Sequence, residues 1–173
     1  MTRLANRGQQ LETEIEITNK HYSRQGMAEV QKIPTPIKRI GEIKGKGTFR
    51  ACYDKKSTVD YIGTFKGRTI VFDAKETSIE TRFPLKNIKK HQYQYMVRQH
   101  NHGAIAFLIV RFKSRNEDYL LPVSHLQKVW SQSKNGGRKS IPYDSFHESF
   151  KIEKGKGRAI VDYLSVIDFA GVI

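Results

Sequence analysis

Apolar or semi-apolar positions recur at Leu11, Ile15, Thr18 and Tyr22, a helical spacing, and predict a first helix from Asn6 to about Arg24. Asn6 is its candidate cap and Gly26 its stop. "MAEVQKI" then alternates like a half-buried strand and ends at "PTP", because Pro34 and Pro36 cannot donate to a ladder. Two β-rich runs, "TVDYIGTF" and "RTIVFDAK", are joined by Lys66-Gly67, the length of a tight hairpin loop. Leu85 to His102 reads as a helix closed by Gly103. "AIAFLIVRF" is apolar almost throughout, as in a strand covered on both faces, and "DYLLPV" is a weaker strand after it. Ser124 is the candidate cap of a short helix through Trp130; a basic glycine-rich loop, "SKNGGRKS", follows, and "VDYLSVIDF" forms a last helix. This order of elements predicts a mixed α/β sandwich around one sheet. At 173 residues it is a single domain, residues 1–173.

Residues 37–57 break the pattern. "IKRIGEIKGKGTFRACYDKKS" is rich in Lys and Arg, carries the exposed-looking aromatics Phe49 and Tyr53, and contains three glycines. It reads as a projecting basic hairpin or arm. Charge gives that arm a meaning: 31 Lys and Arg against 17 Asp and Glu leave +14, an excess that most often answers a polyanion, nucleic acid first. "AIAFLIV" is far too short to span a bilayer and the first ten residues lack an apolar signal core, so the expected setting is the cytoplasm, with no membrane. The lone Cys52 can form neither an internal disulfide nor a thiolate zinc cage, and is expected to be a reduced thiol.

Candidate chemistry comes from the hairpin. If Lys66-Gly67 is a two-residue loop, cross-strand partners sum to 133, which sets Asp60 opposite Asp73 and Thr58 opposite Lys75 on one face. Two carboxylates would then stand roughly 5 Å apart at their Cβ atoms, which destabilises a sheet unless something cationic lies between them. A divalent ion supplies that charge, and hard oxygen ligands favour Mg²⁺ or Mn²⁺ over zinc. Lys75 is then placed to stabilise charge on a phosphate oxygen, in outline a phosphodiester hydrolysis site. Spacing alone also fits a solvent-exposed ion pair, and a one-residue slip of register would turn every side chain over. The next helix shifts the balance: Ile88, Gln92 and Met96 recur at i, i+4, i+8, so an amide lies on the stripe that buries against the sheet and needs polar partners.

Other residues carry weaker signals. His100-Asn101-His102 spells three letters of a nuclease motif but lacks its flanking ligands and reads as a polar helix terminus. His91 fits a surface or DNA-contacting residue better than a ligand. Arg7, Arg138 and Lys139 are candidate phosphate clamps, with a merely solvated charged face as the other reading.

"NRGQQLE", "PTP", "STVDYIGTFKGRTIVFDAKET", "FPLKNIKKHQ", "RKSIPY" and "VDYLSVID" resemble, in order and spacing, the RecU-type Holliday junction resolvases, over nearly the whole chain from Asn6. The resemblance implies a restriction-endonuclease-like fold, a mixed central sheet flanked by helices, with a PD-(D/E)xK site and a projecting basic stalk. It implies a homodimer that nicks four-way junction DNA symmetrically with Mg²⁺, by in-line attack of water, in recombination and DNA repair. A recombinase or a branch-migration helicase is the candidate protein partner. Carried over by position, Thr58, Asp60, Asp73 and Gln92 become the metal-site residues, and Asp60, Asp73 and Lys75 the catalytic set, with Glu12 as a candidate helper whose other reading is a solvated helix acid. Lys44, Lys46, Arg50, Tyr53, Lys55 and Lys56 fall on the stalk, where an aromatic stacks on unpaired bases and lysines hold phosphates.

The chain departs from the family pattern at three places. Asp73 stands where Glu is usual, Val59 where a second threonine is usual, and the N-terminal arm before Asn6 is shorter than in many relatives. Two other functions stay open at this point: a PD-(D/E)xK nuclease for other branched or linear duplexes, and a non-catalytic junction-binding or annealing protein on the same fold.

Overall fold

The computed structural model describes residues 9–43, 48–54, 58–146, 150–155 and 157–169. The helices are α1 (Gln9–Arg24), α2 (Lys90–Asn101), α3 (Val123–Lys134) and α4 (Tyr163–Phe169). The strands are β1 (Ala28–Lys32), β2 (Ile37–Ile43), β3 (Thr48–Tyr53), β4 (Tyr61–Phe65), β5 (Arg68–Thr77), β6 (Arg82–Pro84), β7 (Ile105–Phe112), β8 (Glu117–Pro122), β9 (Ser140–Pro142) and β10 (Lys151–Ile152). Six of them form one mixed sheet in the order β1-β4-β5-β7-β8-β10, with β5 and β7 parallel and the other neighbours antiparallel. A parallel pair needs a crossover, and the segment between β5 and β7 supplies it with α2. The predicted α/β class and the helix-flanked mixed sheet are therefore present.

The hairpin register is as the sequence predicts. Lys66 and Gly67 both take positive φ, 48° and 73°, the primed turn whose twist suits a two-residue loop, and Phe65 faces Arg68. Alternation along β5 and β7 then divides the core. Ile70 and Phe72 of β5, with Ile105, Phe107 and Ile109 of β7, pack toward Leu11 and Ile15 of α1 and Leu164 of α4. Val71, Ala106, Leu108 and Val110 face Met96 of α2 and Leu126 of α3. Tyr61, Phe72 and Phe107 stack across three adjacent strands at 4.7 and 4.8 Å between ring centres, and Tyr163 of α4 tilts over two of them.

Helix α1 buries Leu11, Ile15, Thr18 and Tyr22, the predicted stripe, and Asn19 besides. Its polar members are matched by partners. Val161 N–H donates to Thr18 Oγ1 at 3.1 Å, Tyr163 Oη donates to Asn19 Oδ1 at 2.6 Å, and Tyr22 Oη donates to Asp162 Oδ1 at 2.7 Å. At the other edge of the helix, buried Arg111 of β7 donates to both oxygens of Asp118 and to Glu14 Oε2, each at 2.6 Å.

Several boundaries differ from the pattern reading. The helix predicted from Leu85 is a 3₁₀ turn at Leu85–Asn87, an extended Ile88 (φ −102°, ψ 121°), and then α2 from Lys90. Ser124 is not a cap: Pro122 holds that position without a side-chain bond, and α3 runs past Trp130 to Lys134. β6 and β9 pair as a small ribbon and β10 adds to β8, none of them predicted, because two or three residues show no period. Gly103 does close α2, at φ 88°, and His100 to His102 form its end. Asn6 lies outside the described residues. No helix among the described residues is long and apolar enough to cross a membrane.

The predicted basic arm is the β2–β3 ribbon, which pairs with itself and has a bulge between Arg39 and Gly41. It is exposed, with Tyr53 at 80% and Ile40 at 64%, and Cys52 is a free, exposed thiol. Its base is closed by Asp54 N–H to Pro36 O at 3.0 Å and Ile33 N–H to Asp60 O at 2.8 Å.

β1 approaches β4 closely at Gly63, where a Cβ would meet the Glu29 carbonyl oxygen and lie 2.7 Å from Val30 Cα. Both are backbone atoms of a paired strand and cannot turn aside. Gly63→Ala is expected to lower unfolding free energy by about 1–3 kcal/mol in denaturant melts, whereas Gly41→Ala, which meets nothing within 4 Å, is expected to leave it near wild type.

Candidate active site

The β4–β5 ladder stops at Tyr61 opposite Phe72, but β5 continues to Thr77, paired on its other edge with β7. One edge of β5 from Asp73 onward is thus left open, and a cavity of about 760 Å³ occupies the gap. Helix α1 contributes Leu11 and Glu12 to its wall, β5 contributes Ala74, Lys75 and Glu76, and α2 contributes Gln92. Asp60 stands where β4 has peeled away.

Asp73 is fully buried beneath this cavity. Its Oδ1 accepts the Asp60 backbone N–H at 2.6 Å, and its Oδ2 lies 3.3 Å from Lys75 Nζ. The same ammonium lies 3.5 Å from Asp60 Oδ2, so one lysine bridges both carboxylates. Burial pushes the Asp73 carboxyl up to about 7; Lys75 opposes that rise and the Asp60 charge adds to it. Asp73 Oδ2 has no hydrogen bond besides its ion pair with Lys75, and buried Gln92 Oε1 has no hydrogen-bond partner. An orphaned buried polar atom costs about 1–3 kcal/mol, and a hard cation is a group that oxygen donors of this kind satisfy.

The predicted residues divide. Asp60, Asp73, Lys75 and Gln92 come together. Ile88, Gln92 and Met96 are all buried, as their spacing predicts. The register does not extend as predicted beyond Tyr61, however: Asp60 and Thr58 lie in bends outside the ladder, Asp60 is brought to Asp73 by its amide, and Thr58 is exposed and not among the cavity's lining residues. Glu12 lines the cavity while paired with Lys32 at 2.9 Å. Arg138 lines a separate groove with His125 and Asn135, and Lys139 is exposed, its carbonyl accepting Leu85 N–H at 3.1 Å. Arg50 and Tyr53 are exposed on β3, and His91 is half-buried in the first turn of α2. Arg7, Lys44, Lys46, Lys55 and Lys56 lie outside the described residues.

Pattern reasoning missed Glu76, Ser78, Lys89 and Lys113, which also line the cavity. The signal was there in part. Lys113 directly follows the strand covered on both faces, and ligand sites gather at the carboxyl ends of parallel strands.

A mixed sheet with an open strand edge, where one buried strand carboxylate and a second from the preceding bend share a lysine beside a cavity lined by a buried amide, has the layout of α/β enzymes that build chemistry at a strand end. The chain belongs to the RecU family: residues 6–169 match the family model described as Recombination protein U. The Holliday junction resolvase RecU of Geobacillus kaustophilus (strain HTA426) is 41% identical, over 95% of this chain and 84% of its own. That of Geobacillus sp. (strain WCH70) is 39% identical over 94% and 83%, and that of Oceanobacillus iheyensis 36% over 95% and 86%. Among solved structures, Archaeoglobus fulgidus Hjc, a Holliday junction resolvase, matches with a TM-score of 0.40 and 10% identity, covering 68% of this chain and 74% of that one.

Two expectations follow from the buried groups. A carboxyl of raised pKa binds more protons folded than unfolded, between its unfolded value near ~3.9 and about 7. Its contribution to stability is therefore present below that window and lost as pH rises through it. In metal-free protein, the wild-type minus Asp73→Asn difference in unfolding free energy should fall as pH rises from about 4 to 7. Gln92→Leu removes an orphaned acceptor and should raise the metal-free unfolding free energy by about 1 kcal/mol, while lowering any activity that depends on the cavity.

Proposed function

We propose that this chain is a structure-specific endonuclease that resolves four-way junctions, nicking opposed strands. The observation that carries the reading is the Asp60–Asp73–Lys75 cluster at the open edge of β5, in a chain of the RecU family. Asp60, Asp73 and Gln92 would hold a divalent cation, Mg²⁺ or Mn²⁺; Asp73 Oδ2, held only by the Lys75 ion pair, and unpartnered Gln92 Oε1 fit that donor set, and exposed Thr58 stands outside it. Such a cation, when bound, supplies Lewis-acid stabilisation of the charge that develops on the phosphate.

The chain's own groups do the rest. Lys75 carries its positive charge between the carboxylates and the cavity, where it stabilises a non-bridging phosphate oxygen as negative charge grows there. Water attacks phosphorus in line and gives up a proton to solvent as the new P–O bond forms; the bond from phosphorus to the leaving sugar oxygen breaks, and that oxygen takes a proton from solvent. Asp73, fixed by the Asp60 amide, cannot turn away from the cluster. A homodimer would present two such centres related by a two-fold axis, matching the symmetry of a four-way junction. The exposed ribbon, with Tyr53 and Arg50 on β3, offers an aromatic face and charge to unpaired bases and phosphates at the crossover.

The test compares a synthetic four-way junction with the matching linear duplex, in Mg²⁺ or EDTA. Wild type should give paired nicks in the junction alone, lost in EDTA, and Asp73→Ala should cut more slowly by on the order of 10²–10³. Deleting residues 44–56 should remove the preference for the junction and spare residual cutting. Equal cleavage of both substrates by wild type would assign a nuclease of other duplexes, and tight junction binding without cleavage in Mg²⁺, or in Mn²⁺ put in its place, would leave a binding protein.

A further inference from the structure

Much of the cavity takes no part in the carboxylate cluster, and its wall there carries two lysines, Lys89 and Lys113, beside two glutamates, Glu12 and Glu76. Lys113 directly follows β7, and its N–H donates to Thr77 O at 2.9 Å, which fixes its backbone beside the last residue of β5. Its ammonium lies 3.5 Å from Glu76 Oε2; the lysine side chain is 45% exposed and the glutamate 13%. Glu76 alternates with Ala74 and Phe72, which pack on the α1 side of the sheet, so this ion pair stands on the wall that α1 completes with Leu11 and Glu12. Lys89 lines the cavity from the other side of the sheet, at the N-cap of α2, three residues before Gln92.

These lysines differ from Lys75 in what holds them. Lys75 is shared by two carboxylates in a nearly dry position, and its ammonium stays with them. Lys113 is tied to one carboxylate and is open to solvent. Val110 is the register partner of Lys75, so Lys113 lies three residues farther along, about 10 Å at roughly 3.3 Å per residue. That backbone offset sets Lys113 beyond the carboxylates along the strand direction, a placement that suits a phosphate next to the one they would hold. Lys89 adds its charge where α2 has no acid in its first turn, at a helix end whose amides already favour an anion. Lys89, Lys75 and Lys113 all line this one cavity, and each ammonium is a donor that a phosphate can accept from.

We propose that Lys113 and Lys89 bind the two phosphates flanking the scissile one, one from each wall of the cavity, and that Glu76 holds Lys113 until nucleic acid displaces it. Both lysines are positioning residues: they set which phosphodiester lies over the carboxylates, and Glu76 makes that grip conditional on a correctly threaded strand. The inference rests on the nuclease reading above.

Junction binding by Lys113→Gln, Lys89→Gln, Glu76→Gln and the Glu76→Gln/Lys113→Gln pair, measured against salt concentration in Ca²⁺, tests it together with steady-state cleavage in Mg²⁺. Each lysine variant should reduce the magnitude of the log Kd against log salt slope by about one, since one phosphate contact is lost. The cleavage defect should fall on KM far more than on kcat, and Lys113→Arg should restore the slope. Glu76→Gln should tighten binding several-fold, and that gain should vanish when Lys113 is also changed.

An unchanged slope in both lysine variants overturns the proposal, because an ion pair that merely stabilises the fold would alter melting and not counterion release. A Glu76→Gln gain that persists without Lys113 overturns the latch. Failure of wild type to bind or cleave the junction at all is a different result, and it counts against the nuclease reading itself.

Discussion

The amide of Asp60 donating to the Asp73 carboxylate is the contact on which the site depends. Antiparallel pairing between β4 and β5 could continue past Tyr61 and Phe72 only if the chain before Tyr61 stayed in plane with β5. It does not: Ile33 N–H takes the Asp60 carbonyl, and the Asp60 N–H turns to a side chain instead of a ladder. The backbone's hydrogen-bonding needs are met on both sides of the peptide, so the break is stable. Its consequence is an open edge beside a strand that is otherwise deep in the core. A fully buried carboxylate is tolerable there because an amide and an ammonium face it, and its proton affinity still rises.

Around that break the two layers act as separate walls. The side formed by α1 is secured by directional polar bonds at Glu14, Thr18, Asn19 and Tyr22, which fix the rotation of the helix in a way that an apolar stripe alone would not. That rotation is what sets Leu11 and Glu12 into the cavity. The side formed by α2 is mostly apolar, with Met96 and Ile88 seated beside Gln92. One amide in that row is kept at the cavity wall because its neighbours hold the helix down.

Much of this was legible in the chain. Lys66-Gly67 set the hairpin register, the spacing of Ile88, Gln92 and Met96 put an amide on a buried face, and the apolar run after Gly103 announced a central strand. What escaped has a common cause: it depends on contacts far apart in sequence. Nothing local says that the ladder ends at Tyr61, so Thr58 was carried onto a strand it does not join. Short strands such as β6 and β9 owe their existence to each other rather than to any period, and Lys113 becomes a cavity residue only once β7 is known to lie parallel to β5. Ser124 failed as a cap because Pro122 already fixes an extended backbone at that position.

The β2–β3 ribbon leaves the sheet between β1 and β4, two strands that are themselves paired, and it is closed at its base by Asp54 to Pro36 and Ile33 to Asp60. The sheet is therefore continuous beneath it. Topologically the ribbon is an oversized turn in a hairpin, so its length, charge and tip can drift over evolutionary time without disturbing the register of the strands that carry the carboxylates. On the function proposed above, recognition and chemistry would be encoded in separable stretches of one gene, and selection could act on the first while leaving the second alone.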